Sequence, residues 1–199
     1  MFAAILNGDG GPVEPDTLGL AAEEVRILGR RRQVALLRSS EASPIRDAET
    51  CDIQCLDDRF WIVGRFRFDA RRDLAAKLGV PSSHDGRLCL HAYAKWGDGF
   101  LDRLAGDFCF VLWDDEQGRL IAARDQLGVR SLFHAAVGGM RIVGDSLDWL
   151  ASCKALRRNL DDVWIADFLT FGLSQDFDRT VYRDIRRLPP AHVMSLLGA

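Results

Sequence analysis

Residues 108–113 read Phe-Cys-Phe-Val-Leu-Trp, and no solvent-facing side can be drawn on them. As a strand, Phe108, Phe110 and Leu112 share one face, while Val111 and Trp113 make the other face apolar too. A strand apolar on both faces is covered on both sides. The chain must therefore supply packing layers above and below this segment, and its remaining elements have to be read as those layers.

Residues 2–6 are an expected strand, followed by the turn Asn7-Gly8-Asp9-Gly10-Gly11-Pro12. Asp16 reads as the N-cap of a helix running to about Gly29, with Leu18, Ala21, Ala22, Val25 and Leu28 on one face. Arg30-Arg31-Arg32 reads as its solvated basic end. Residues 34–37 are a short buried strand, and the polar stretch 39–48, which holds Pro44, is a loop. Residues 51–56 and 60–66 pair as a hairpin about Asp57-Asp58. Helices are expected at 70–78 and 85–96, stopped by Gly79 and Gly97, with a helical continuation at 99–104. Further strands fall at 120–123, 132–136 and 140–143. Asp145 opens a helix, and Asp161 caps another that runs to Leu169. Trp149, Trp164 and Phe168 sit at helical spacing on apolar faces and are assigned to the core, with contact to a further domain as the alternative. Asp114-Asp115-Glu116 reads as a hairpin turn and Arg124-Asp125 as a salt-bridged turn. Residues 180–197 are extended segments broken by Pro189-Pro190. Antiparallel strands with grouped helices make an α+β chain of two facing sheets with helices outside.

A length of 199 residues is enough for one domain with a sizeable core. The net charge of −3 leaves no electrostatic footprint for nucleic acid. No apolar run approaches the ~18 residues of a membrane helix, and no signal peptide is visible. Five cysteines (Cys51, Cys55, Cys89, Cys109 and Cys153) at scattered spacing fit a reducing compartment, so the expected location is the cytoplasm. Cys51 and Cys55 lack a second pair or a histidine at ligand spacing, and no metal site is expected there. His91 and His134, in apolar surroundings, are read as structural histidines.

Three ordered stretches then resemble one family. They are His91-Ala92-Tyr93-Ala94-Lys95-Trp96-Gly97 with Leu101-Asp102-Arg103-Leu104-Ala105-Gly106-Asp107-Phe108; Ala123-Arg124-Asp125-Gln126-Leu127-Gly128-Val129-Arg130-Ser131-Leu132; and Val181-Tyr182-Arg183-Asp184-Ile185-Arg186-Arg187-Leu188-Pro189-Pro190-Ala191-His192. Together they resemble the glutaminase half of asparagine synthetase and its relatives, the class II glutamine amidotransferases. The resemblance implies a four-layer αββα sandwich of the N-terminal-nucleophile hydrolase type. It implies a glutaminase-like domain over 1–179, and a C-terminal extension over 180–199 that would lead into an ATP-binding synthetase domain. ATP and Mg²⁺ would belong to that other domain, and no cofactor is expected in this chain.

The resemblance also implies where the glutamine site should lie, and there the chain departs from the family. The nucleophile, a cysteine directly after the initiator methionine, falls on Phe2. The Asn-Gly pair of the oxyanion hole falls on Val63-Gly64, where only Gly64 survives. The aspartate that holds the glutamine α-ammonium falls on Asp85, which reads equally as a helix-opening cap. The expected catalytic set is therefore empty, with Gly64 and Asp85 as vestigial substrate-binding residues.

Relatives without the cysteine include β-lactam-forming synthetases and lasso peptide cyclases, and residues 66–74 resemble the lasso-cyclase branch. The expected function is an inactive glutaminase-like scaffold of an ATP-dependent amide ligase. Its partners would be the synthetase domain and a peptide or amino-acid substrate, with no nucleic acid and no membrane. The alternative is an amino-acid-binding or interaction module that keeps a vestigial glutamine pocket.

Overall fold

The computed structural model describes residues 1–40, 51–82 and 84–198. The expected loop at 39–48 lies, beyond Ser40, outside the described residues. In chain order the elements are β1 (Phe2–Asn7), α1 (Pro15–Leu18), β2 (Glu24–Leu28), β3 (Val34–Arg38), β4 (Gln54–Leu56), β5 (Phe60–Phe68), α2 (Arg71–Leu78) and α3 (Asp85–Trp96). A 3-10 segment, Gly97–Arg103, leads into β6 (Gly106–Asp114), β7 (Arg119–Arg124), β8 (Phe133–Val137) and β9 (Met140–Gly144). Then come α4 (Leu147–Ala151), α5 (Asp162–Phe171), β10 (Ile185–Arg187) and β11 (Val193–Leu197).

The strands form two antiparallel sheets. One is six-stranded in the order β10-β8-β9-β1-β3-β2, and the other five-stranded in the order β11-β7-β6-β5-β4. Side-chain alternation sorts the core into three apolar layers. Phe108, Phe110 and Leu112 of β6 face α2, α3 and the 3-10 segment. Cys109, Val111 and Trp113 of the same strand face Phe2, Ala4 and Leu6 of β1 between the sheets. Ala3 and Ile5 turn the other way, onto Leu18 of α1 and Trp149 and Leu150 of α4. The apolar two-faced strand is thus the inner wall of a helix–sheet–sheet–helix stack, as its sequence requires.

The helix expected from Asp16 to Gly29 is corrected. α1 ends after Leu18, where Gly19 adopts φ 69°, and Glu24–Leu28 becomes an edge strand paired to β3. Val25 lies opposite Leu37 and Ile27 opposite Ala35. Apolar residues at 25 and 27 fit a period of two, and the free edge of β3 decides in its favour. Arg30, Arg31 and Arg32 consequently belong to the β2–β3 turn rather than a helix end, with the Arg32 N–H on the Gly29 carbonyl at 2.9 Å. At the other end of the chain, 180–199 contributes β10 to one sheet and β11 to the other. Among the described residues, no helix is long and apolar enough to cross a membrane.

Candidate functional site

The start of β1 lies where both sheets meet. Phe2 is fully buried, and its ring belongs to the inter-sheet cluster with Cys51, Val63, Cys109, Val143 and Leu188. Its backbone N–H donates to Asp145 Oδ1 at 2.8 Å. The other Asp145 oxygen accepts from Arg65 Nε at 2.7 Å. Asp145 directly follows β9 in the six-stranded sheet, whereas Arg65 comes from β5 in the five-stranded one. The pair therefore ties the two sheets together beside Phe2. Burial works against the Arg65 cation, but the hydrogen bond and charge of Asp145 outweigh it and raise the guanidinium pKa. The Met1 ammonium donates to the Ser39 carbonyl at 2.7 Å.

Asp145 was expected to open a helix. That role falls instead to Ser146, whose hydroxyl accepts from the Trp149 N–H. The Asp145 carboxylate is drawn to the buried amide and guanidinium, which offer stronger, charge-assisted bonds than a helix end in water.

Two thiols, Cys51 and Cys109, share the inter-sheet layer with Phe2, and Cys89 lies in the helix-facing layer. Burial, followed by the charge of Asp145, pushes the Cys51 thiol up to about 12. Burial likewise raises Cys109, with Asp145 and Cys51 adding to it, and burial raises Cys89. A thiol is a nucleophile only as its thiolate, so these groups are inert apolar packing at neutral pH.

Val63 is buried in β5 opposite Val111, and its isopropyl group offers no donor. Gly64 has a structural reason to persist. A Cβ there would stand 2.4 Å from the Phe110 Cβ and 2.6 Å from the Cys109 carbonyl oxygen, inside the neighbouring strand.

Asp85, only 5% exposed, is the first residue of α3 but does not cap it. Its Oδ1 accepts from Arg71 Nε at 2.6 Å, and its Oδ2 from Arg71 Nη2 at 3.0 Å and from the Phe68 N–H at 2.9 Å. The capping expectation is thereby corrected: a two-pronged guanidinium contact holds more strongly than a lone N-terminal amide. Both oxygens are occupied, and the carboxylate joins the end of β5 to the first residues of α2 and α3. Arg71, Arg65 and Asp145 are the residues that sequence reasoning missed. The signal for Arg71 was its place in the 66–74 segment that resembles the lasso-cyclase branch.

Other singled-out residues are structural. The Asp114 carboxylate accepts from Tyr93 and from the N–H groups of Glu116 and Gln117, fixing the β6–β7 turn. A cavity of about 470 Å³ between Arg59, Tyr93 and Arg119 opens beside it. Arg124 and Asp125 do not form the expected salt bridge. Arg124 donates to the carbonyls of Gly128, Arg130 and Leu188, while Asp125 accepts from the N–H groups of Leu127, Val129 and Arg130. Backbone groups of a tight loop lie nearer to each side chain than the other's charge. Burial, followed by the charge of Arg141, lowers the His134 pKa.

Residues 15–198 match the family model described as a glutamine amidotransferase domain. An asparagine synthetase (glutamine-hydrolyzing) of Zea mays is 28% identical over 184 residues, covering 91% of this chain and 25% of that protein. The corresponding enzyme 2 of Lotus japonicus is 32% identical over 181 residues, with the same coverage of 91% and 25%. Asparagine synthetase (glutamine-hydrolyzing) 3 of Bacillus subtilis is 27% identical over 128 residues, covering 64% of this chain and 21% of that protein. The chain thus spans a quarter or less of the length of these curated relatives. A solved structure described as the allosteric regulatory enzyme of purine biosynthesis superposes with a TM-score of 0.55 at 13% identity. The superposition covers 98% of this chain and 46% of that one, and the likeness is one of fold alone.

Proposed function

The chain belongs to the glutamine amidotransferase domain family, and from that premise we propose that it is a retired glutaminase serving an ATP-dependent, asparagine-synthetase-like amide ligase as a scaffold. The carrying observation is the state of the nucleophile position. Phe2 has no attacking atom, its ring fills the inter-sheet core, and its amide is spent on Asp145. Val63 removes a donor from the expected oxyanion hole, a loss worth about 3 kcal/mol in a transition state. Arg71 on Asp85 supports the same reading, because the carboxylate expected to receive an α-ammonium already holds a cation. The same contact disfavours an amino-acid-binding module.

In this reading the ligase activates a carboxylate with ATP and Mg²⁺ in its synthetase half. An amine already present on a peptide or amino-acid substrate completes the bond, in the cytoplasm and without glutamine-derived ammonia. Residues 66–74 favour the branch that holds the lasso peptide cyclases. The test is ammonia and glutamate release from glutamine by the purified chain, beside a cysteine-bearing relative. Background release is expected, and turnover above background would refute the reading.

A further inference from the structure

Two helical faces of the molecule stand open to solvent. One is the arm formed by α5 and the loop that follows it to Phe177, clamped at its base by Asp161 on Arg179 at 3.1 Å. No residue of α5 is buried, and Trp164 and Phe168, assigned to the core by their spacing, instead stack on each other with ring centroids 5.1 Å apart. The other open face is charged, and its chemistry selects a ligand.

α2 and α3 lie side by side and run in the same direction. Arg71, the first residue of α2, pairs with Asp85, the first residue of α3. Near the other ends, Lys95 Nζ donates to the Lys77 carbonyl at 2.7 Å. Leu74, Ala75, Leu88 and Ala92 turn inward to the core, and Arg72, Lys77, Arg87 and Lys95 are exposed. Arg103, also exposed, lies over the Trp96 ring at 4.8 Å. Among the described residues, none of these five cations forms an ion pair, and the unpaired carboxylates of residues 70–104 are Asp73 and Asp102. Helix stability does not account for the arrangement. Arg72 and Arg87 sit in the first turns of their helices, the end where the dipole favours anions. His91 lies one turn from both Arg87 and Lys95, and a carboxylate in its place would stabilise α3 through both.

We propose that the outer face of the α2–α3 layer is a docking surface for a short acidic peptide segment, a role that does not depend on the scaffold reading above. The guanidinium groups of Arg72 and Arg87 offer forked N–H donors that match carboxylates, and Lys77 and Lys95 supply point charges beside them. The twelve residues of α3 extend over about 18 Å, which an extended peptide spans with about five residues. Charge separates this occupant from larger polyanions. Five unpaired cations against two unpaired carboxylates leave the layer at +3, so the remainder of a chain at −3 carries −6. A bilayer or a long duplex would reach past the patch onto those acidic surroundings, within the roughly 8 Å over which charges act at physiological salt. A short segment stays inside the basic face.

The test is fluorescence anisotropy of fluorescein-labelled hexaglutamate with the full chain. Saturable binding is expected at low salt, weakening about tenfold as the ionic strength rises to roughly 0.5 M. Arg87→Glu together with Lys95→Glu should weaken it at least about tenfold, whereas Arg26→Glu, on β2 of the other sheet, should leave it unchanged. His91→Glu should weaken binding while raising the urea midpoint, because it links Arg87 and Lys95 along α3. That combination separates loss of the surface from loss of the fold. Absence of binding, an undiminished affinity in the Arg87 and Lys95 double variant, or an equal loss from Arg26→Glu overturns the proposal. Equal binding of hexalysine removes its electrostatic basis, and tighter binding of phosphatidylserine vesicles or of a 20-base-pair DNA duplex overturns the peptide as occupant. Glutamine turnover, measured separately, bears on the scaffold reading alone.

Discussion

The centre around Phe2 and the arm around Phe177 are built from the same kinds of side chain and meet opposite fates. Phe2 is sealed between two sheets, while Phe177 stands 75% exposed on a clamped loop. In the first region, Phe2 and Val63 pack between the sheets beside the cross-sheet ion pair of Arg65 and Asp145. In the second, apolar residues at core-like spacing stay partly or largely exposed. The proposal that the domain is kept for what it holds rather than for what it hydrolyses rests on this contrast.

The sharpest way to break this contrast is truncation of the two rings. Phe2→Ala should cost about 3–5 kcal/mol by urea unfolding, since it empties a close-packed layer. Phe177→Ala should fall within about 0.5 kcal/mol of wild type. Equal costs would erase the distinction. Next in size is the cross-sheet tie. Asp145→Ala leaves the half-buried Arg65 cation without its partner and should cost about 3 kcal/mol. A paired Arg65→Met with Asp145→Leu should recover most of that loss, and failure to recover would mean that the Phe2 amide carries the effect.

A smaller effect is expected at the arm. Asp161→Ala removes the α5 cap, at about 1 kcal/mol, and should raise hydrogen exchange in α5 without moving the global unfolding midpoint. The Asp161 pKa is held low by the Trp164 N–H, against some opposing burial, with Arg179 assisting. A depressed carboxylate contributes its full stabilisation above its unfolded value of about 4 and loses it as the pH falls through the folded pKa. α5 helicity should therefore hold steady from neutrality to about pH 5 and decline below about 4. Loss of helicity on raising the pH would contradict the sign. The smallest change is expected from Phe2→Cys. Glutamate release should stay at background, because Val63 still lacks a donor and Arg71 still covers Asp85. Turnover from that single change would show that the neighbouring groups had kept the site open.

Most of the sandwich was legible because buried strands declare themselves by composition. Residues 108–113 and 2–6, the α3 boundaries at Asp85 and Gly97, and the Asp161 cap all follow from local pattern and turn chemistry. The 24–28 strand was not legible, since Val25 and Leu28 fit a helical face while Val25 and Ile27 fit a period of two, and only the open edge of β3 selects one. At the site, the resemblance pointed to Phe2, Val63, Gly64 and Asp85, an assignment carried forward as part of the proposed function. It did not show who holds Asp85, because Arg71 lies fourteen residues away and is brought back only by the turn from β5 into α2.

The sequence by itself determined that a strand apolar on both faces needs two covering layers, and that Phe2 cannot attack an amide. Both are properties of single side chains and their alternation. Only the tertiary structure decided that Asp145, 143 positions from Phe2 along the chain, ties two sheets together beside it, and that Trp164 and Phe168 lie outside the core. Contacts of that kind depend on which surfaces the fold brings together and which it leaves uncovered, and an apolar spacing pattern reads the same whether its covering layer comes from this domain or from another.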